Sequence, residues 1–284
     1  MASKQSQDHS KRRFSNLTTP VKLLLAAVMK QILINADDFG YDIDTLTTTI
    51  GLMERGVVRS ATVLVGFPAT ELALAFAREN MASHSFGLHF NIAEGRPVSN
   101  RPVPSLVNRA GDFHGAVSQR LRAVAGMLDP KDIATEAEAQ LSAMADYGVR
   151  MTHIDSHGHF HKFPKVLSAL EPVLKRFSIQ RVRRPQTLYD NPRFYNRALD
   201  TYCNWNFDKW ARCSDNFFNT RSDSSEWLRH ILTHLPNGTT EIGIHPGMQE
   251  EWRRRETQPF LDNGISEWIE RQNISIISYN DIDI

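Results

Sequence analysis

The chain has 284 residues and balances 33 Lys+Arg against 32 Asp+Glu, so no global basic excess marks it for nucleic acid or an anionic membrane, and a small neutral substrate suits the balance. Its apolar fraction of 41% is that of one large α/β domain rather than a string of modules, and its length removes the need for disulfides to complete a core. The cysteines Cys203 and Cys213 could close one bridge at most; so few fit a reducing compartment, and we expect a cytoplasmic protein.

Residues 1–29 read as a basic extension. Lys4, Lys11, Arg12 and Arg13 lead into Val21-Lys22-Leu23-Leu24-Leu25-Ala26-Ala27-Val28, a pattern shared with secretory signals. The apolar run is too short to span a membrane, and it passes within a few residues into a strand, leaving little room for a cleavage site. We therefore expect a disordered segment, with Met29 as an alternative start, ahead of a single domain over 30–284.

From Lys30 onward, strand-like apolar runs alternate with helical periodicity, the pattern of a mostly parallel sheet covered by helices. The first strand spans 32–36, and a helix through Leu46, Ile50 and Met53 stops at Gly56. A strand over 61–65, a helix over 71–78 and a strand over 86–91 follow, before Gly95, Pro97, Pro102 and Pro104 mark a long irregular loop of the kind that builds sites. Ile133, Ala137, Leu141, Met144 and Ala145 recur at helical spacing over 132–147. Next come a strand over 150–155, a helix from Pro164 carrying Val166, Leu167, Leu170 and Leu174, and a strand over 181–183. The aromatic, irregular stretch 189–219 reads as an excursion. Order returns with a helix over 227–235, a strand over 240–244, a helix over 265–271 and a last strand over 274–278.

Four clusters sit at or just past the C-terminal ends of these strands, where barrel-like α/β folds place catalytic groups. They are Asn35-Ala36-Asp37-Asp38-Phe39-Gly40, Gly87-Leu88-His89-Phe90-Asn91, His153-Ile154-Asp155-Ser156-His157-Gly158-His159-Phe160-His161 and Ile244-His245-Pro246-Gly247. Adjacent carboxylates repel unless a cation or proton intervenes. Alone, Asp37 and Asp38 would read as a turn cap. The histidine-rich third cluster changes the weighing: His153, His157, His159 and His161 alternate with Asp155 in phase, so in an extended chain all would point to one side. His89 and His245 are weak signals singly. Asp155, His159 and Arg184 are further candidates to contact substrate, and Trp205, Trp210 and Trp252 could form a sugar-stacking rim, although packing is the default for each aromatic.

In this order and spacing, the clusters resemble the motifs of the YdjC/ChbG carbohydrate deacetylase family, a likeness that runs from about Gln31 to Ile284 and includes Glu94-Gly95-Arg96-Pro97-Val98 and Ile276-Ile277-Ser278-Tyr279. The resemblance implies a distorted parallel (β/α) barrel, TIM-barrel-like and related in layout to polysaccharide deacetylases. It implies removal of an acetyl group from an N-acetylated sugar, one divalent cation held by Asp38, His89 and His157, Asp37 as general base and His245 as general acid. One subgroup is associated with hopanoid biosynthesis and others with chitooligosaccharide use; the sequence assigns itself cleanly to neither. The family is described with Mg²⁺, whereas two imidazoles and a carboxylate suit Zn²⁺, Mn²⁺ or Fe²⁺ better by ligand softness. A homodimer is compatible with this picture, and no partner nucleic acid or stable membrane span is expected. Two rival readings are a metal-dependent phosphoesterase on a similar barrel and a catalytically silent sugar-binding protein. The first lacks a glycine-rich phosphate cradle, and the intact Asp37, Asp38, His89, His157 and His245 argue against the second.

Overall fold

The computed structural model describes residues 30–188, 198, 201, 204, 207, 210–220 and 224–282. The 1–29 extension, Cys203 and Trp205 lie outside the described residues. Strands β1 (Lys30–Phe39), β2 (Ser60–Val63), β3 (Ser85–Phe90), β4 (His153–Ser156), β5 (Arg181–Val182), β6 (Asn216–Asn219), β7 (Gly238–Ile244) and β8 (Ile274–Ile277) form one sheet. Its order is β5-β4-β3-β2-β1-β7-β6, with β8 also on β1, and every pairing is parallel. Helices α1 (Ile43–Glu54), α2 (Thr70–Asn80), α3 (Ala116–Val124), α4 (Pro130–Asp146), α5 (Pro164–Arg176), α6 (Ser225–His234), α7 (Glu251–Leu261) and α8 (Ile265–Arg271) connect the strands. The sheet curls into a half-barrel, the expected α/β barrel-like architecture. Its two edges approach where the Val182 N–H donates to Arg212 O and the Thr187 N–H donates to Phe217 O.

Strand β1 organises the sheet. One side of it pairs with β7 along Lys30 to Ala36. The other side is shared, with β8 against Lys30 to Leu33 and β2 against Asn35 to Phe39. The alternation of a strand then sorts side chains by parity. Phe39 and Phe86 pack on Phe76 of α2 and join the apolar layer under the helices, with Ile34, Val63 and Leu88. On the other face Asn35, Asp37, His89, His153, Asp155 and Glu241 are buried in the concave interior, where polar groups must pair with one another; Phe39 escapes the parity of Asp37 because the register of β1 shifts between Ala36 and Phe39.

The interior floor shows how tight that arrangement is. Tyr279, just past β8, stacks on the His153 ring with centroids 3.7 Å apart and donates its hydroxyl to Glu241 at 2.6 Å. Its backbone N–H reaches the hydroxyls of Ser60 and Ser85. Space for the His153 ring exists because residue 87 is glycine: a Cβ there would lie 2.5 Å from His153 O and 2.8 Å from the ring. Gly87→Ala should therefore cost about 1–3 kcal/mol, the usual penalty for overpacking, read as a fall in melting temperature. An unchanged melting temperature would show that β3 and β4 can part at no cost.

Most sequence-based elements are present with shifted ends, but three elements were not anticipated. Helix α7 carries Glu-Trp-Arg-Arg-Arg-Glu-Thr-Gln-Pro-Phe-Leu, whose few apolar residues and internal Pro259 hide the helical period. Helix α3 leaves Val117, Leu121 and Val124 exposed, and β6 is the short Asn-Phe-Phe-Asn segment inside the supposed excursion. The expected strand 150–155 begins only at His153, and after Ser156 the chain turns into a 3-10 segment (His157–Lys162) with Gly158 and His159 at positive φ. The alternation of histidines therefore does not continue past the strand, and the four rings do not share one face. No helix among the described residues is long and apolar enough to cross a membrane.

Candidate active site

Asp37 and Asp38 reach the same pocket because β1 bulges. Ala36 is opposite Ala61 and Phe39 is opposite Val63, so β1 holds one extra residue there. Asp38 takes the left-handed conformation at φ 58°, uncommon outside glycine but tolerated by aspartate. The turn thus sits at Asp38 itself. It swings inward a carboxylate that strict alternation would send to the helical side.

Asp38, His89 and His157 converge into a group able to hold a metal ion. Asp38 Oδ1 lies 3.1 Å from His89 Nε2 and 3.0 Å from His157 Nδ1, while its Oδ2 accepts from Arg253 Nη2 at 2.8 Å. His89 Nδ1 is held by Asp155 Oδ1 at 2.7 Å. That contact keeps a proton on Nδ1, so Nε2, turned to Asp38, is the nitrogen that would ligate a cation once its own proton is displaced. Although close to Asp38, the buried Nε2 does not meet hydrogen-bond geometry with any group. A buried nitrogen without a hydrogen-bond partner, between a carboxylate and a second imidazole, fits a divalent cation that would displace its proton, as does the donor set of two nitrogens and one oxygen.

The electrostatics give the same result. Burial disfavours a charged His89, but Asp155 and Asp38 outweigh it and push the imidazole up to about 10. Burial likewise opposes charge on His157, yet Asp38 and Glu94 bring it up to about 9. For Asp38 burial pushes upward, and the bonds from His157 and His89 hold the carboxyl well below the usual carboxylate range. The pocket therefore favours positive charge, and without a cation the two imidazolium ions supply it. Each of these histidines has a folded pKa above its ordinary 6.5, so its stabilising contribution is complete below about 6.5 and lost as pH rises towards 9–10. We expect the melting temperature of chelator-treated protein to fall between pH 6.5 and 9.5. Added Zn²⁺ should raise it most at the alkaline end, where ligands need shed no proton. A melting temperature independent of pH in chelator would refute this charge assignment.

Asp37 enters the same pocket, its carboxylate within 4.8 Å of His89 and Asp155. Its two oxygens accept from Arg183 Nη1 and Nη2 at 2.6 Å each, and Asn35 Nδ2 donates to Oδ1 at 2.9 Å. Burial alone would raise this carboxyl, but the Arg183 charge and hydrogen bonds dominate, and His89 and His245 add to them; it stays well below the usual range. Arg183 is fully buried and also contacts Asp155 at 2.7 Å and Glu241 at 2.6 Å. His245, past the end of β7, places Nε2 3.8 Å from Asp37 Oδ2 and Nδ1 2.9 Å from Glu256 Oε2. Burial lowers the basicity of His245, but the Glu256 bond and the charges of Asp38 and Asp37 raise it on balance.

The remaining candidates lie elsewhere. Asp155 is completely buried beneath the triad, where it touches His89, Arg183 and Thr62. His153 belongs to the floor, bonded to Asn35 Oδ1 at 3.0 Å. His161 is bonded to Ser156 Oγ at 2.6 Å. His159, at φ 58°, stands beside Phe217 at 5.8 Å. Burial and the Arg183 charge keep all three well below the ordinary histidine range, hence neutral. Arg184 is tied to Ser214 O and Asn204 Oδ1. Trp252 is 45% exposed with its ring 5.4 Å from His245, and Trp210 packs against the core.

Sequence reasoning missed Arg183, Arg253, Glu256 and Glu94 as members of the site. For Arg183 the register decides: β4 and β5 pair His153 with Arg181 and Ile154 with Val182, so residue 183 continues the face of Asp155 and residue 184 does not. Arg253 and Glu256 are i, i+3 on α7 and so share a face, but that helix had not been recognised. Glu94 stood within a motif to which no role was attached.

A family model described as YdjC-like protein matches residues 31–271. The carbohydrate deacetylase of Geobacillus stearothermophilus is 36% identical over 160 residues, covering 55% of this chain and 62% of that protein. The matched segment thus spans less than two thirds of that relative. The carbohydrate deacetylase of Thermoanaerobacter pseudethanolicus is 27% identical over 265 residues, 89% of this chain and 99% of that one. A human carbohydrate deacetylase is 35% identical over 158 residues, 55% of this chain and 48% of its own. Among solved structures, a putative cellobiose-phosphate cleavage protein from Enterococcus faecalis superposes with a TM-score of 0.71 at 24% identity, covering 89% of this chain and 98% of that one, a likeness of fold.

Proposed function

The chain belongs to the YdjC-like family, and we propose that it hydrolyses the acetyl amide of an N-acetylated sugar, with one divalent cation held by Asp38, His89 and His157. The observation that carries this reading is that the pocket holding this ligand group also holds a buried, ionised carboxylate, Asp37, and beside it at 3.8 Å an imidazole of raised basicity backed by Glu256, His245. Relatives named carbohydrate deacetylases support the substrate class. The ligand softness of two imidazoles favours a cation such as Zn²⁺ over Mg²⁺.

When bound, the cation polarises the acetyl carbonyl and acidifies the attacking water. Asp37 takes the proton of that water. Arg183 keeps it ionised and fixes both oxygens, so the acceptor needs no reorganisation. His245, protonated through its contact with Glu256, delivers its proton to the departing sugar nitrogen as the C–N bond breaks. Water and amide thus become acetate and a free amine. The Trp252 face beside His245 offers an exposed surface on which a sugar ring can stack, and the paucity of cysteine supports a cytoplasmic setting.

The decisive experiment is mass spectrometry of a panel of N-acetylated mono- and oligosaccharides incubated with Zn²⁺-loaded protein. Loss of one acetyl unit with matching acetate release is the expected result. Phosphate release from p-nitrophenyl phosphate without acetate release from any sugar would overturn it, as would sugar binding with no turnover over long incubation.

A further inference from the structure

We propose that Glu94 is a positioning residue that, anchored by Tyr41, fixes the His157 ring so that Nδ1 is its metal-ligating nitrogen; this rests on the metal site read above. The need for such a residue follows from exposure. His89 and Asp38 side chains are 2% and 1% exposed, but that of His157 is 19% exposed. It also begins the 3-10 segment that leaves the sheet, followed by Gly158 at positive φ. A ligand there needs an external hold on its ring.

Glu94 supplies that hold in the same way that Asp155 does for His89. His89 turns Nε2 to Asp38 and Nδ1 to Asp155. His157 turns Nδ1 to Asp38 at 3.0 Å and Nε2 to Glu94 Oε2 at 3.2 Å. Each imidazole thus stands between the shared carboxylate and a private one, with the two ring nitrogens exchanged. A carboxylate that takes the Nε2–H leaves the lone pair on Nδ1. The other Glu94 oxygen accepts from the Tyr41 hydroxyl at 3.0 Å, and Tyr41 is itself stacked on Phe67 with centroids 5.2 Å apart.

The loop that carries Glu94 is built for rigidity. Asn91 Oδ1 accepts from the backbone N–H groups of Ala93 and Glu94, and Asn91 Nδ2 donates to Glu94 O at 2.7 Å. Gln140 of α4 grips the Asn91 backbone from both sides, donating to its carbonyl and accepting from its N–H. Gln140 also donates to Glu136, whose carboxylate accepts from the N–H groups of Val98 and Ser99. A half-exposed carboxylate on such a mount is held beside His157 by the backbone, not merely by attraction to it.

The test is Zn²⁺ affinity of the whole protein by chelator competition, together with ¹⁵N NMR of the histidine rings. In the wild type the His157 signals should show metal on Nδ1 and a proton on Nε2. Glu94→Gln should weaken Zn²⁺ about tenfold to a hundredfold, the usual cost of losing an outer carboxylate. Tyr41→Phe should weaken it less, and the double variant should bind no worse than Glu94→Gln, because the hydroxyl it removes acts through Glu94 while the ring under Arg253 is kept. The metal-free melting temperature of each variant, read alongside, separates loss of fold from loss of metal, and Glu94→Asp gives an independent, partly restored variant. Unchanged affinity in Glu94→Gln, additive losses in the double variant, or metal on Nε2 of His157 would overturn the inference while the metal site stands. Absence of Zn²⁺ binding by the wild type would overturn both.

Discussion

Asp38→Ala, His89→Ala and His157→Ala should each release the cation and abolish turnover, with losses in affinity beyond the roughly 10- to 100-fold that outer partners cost. The three should not be equal. Asp38 Oδ1 touches both imidazoles, so its loss removes one ligand and the charge that holds the other two. His157, the exposed member, should leave the most residual binding. Asp38→Ala also takes from Arg253, which is 3% exposed, its partner at Asp38 Oδ2 and leaves Glu250 as its carboxylate, so some loss of stability should accompany the loss of metal. Asp38→Asn keeps the shape and an acceptor for Arg253, so it separates lost metal from lost fold. Metal content by elemental analysis, read beside the melting temperature of each metal-free variant, decides the matter. Full occupancy in all three alanine variants would mean that the ligands lie elsewhere.

The second large effect belongs to the proton-transfer pair. Asp37→Asn should retain the cation while kcat falls by about 10²-fold or more, the usual size of general-base action. Arg183 keeps Asp155 and Glu241 as partners in that variant, so its charge stays compensated. His245→Ala should behave similarly on an N-acetyl sugar and lose least on activated aryl acetates, whose leaving group needs no proton. The pH profile follows from the same contacts. His245 acts as an acid only while protonated, so activity persists below its raised pKa and falls above it. Because Arg183 holds Asp37 ionised far below neutrality, the acidic limb arises instead from protonation of the ligand histidines with loss of metal, and excess Zn²⁺ should move that limb to lower pH. Metal loss in Asp37→Asn, or wild-type turnover of an N-acetyl sugar by His245→Ala, would overturn these roles.

Much of this protein could be read from the chain itself. Alternating apolar runs and helical periods determined a parallel α/β sheet, because burial on both sides of such a sheet leaves continuous runs such as Ile32-Leu33-Ile34. The strand ends then marked where chemistry would gather, since that is where a parallel sheet exposes its loops. What the sequence could not decide was which way individual side chains turn. The inward swing of Asp38 depends on a bulge set by pairing with β2, the departure of His159 and His161 from the face of His153 depends on the 3-10 turn after Ser156, and the choice of Arg183 over Arg184 depends on the register of β5 against β4. Arg253 and Glu256 joined the site only through the docking of α7, where Thr257 bonds Gly247 beside His245. Periodicity reports local burial, which each segment carries in its own residues. Register, bulges and docking are relations between segments distant in the chain, and only the folded structure fixes them.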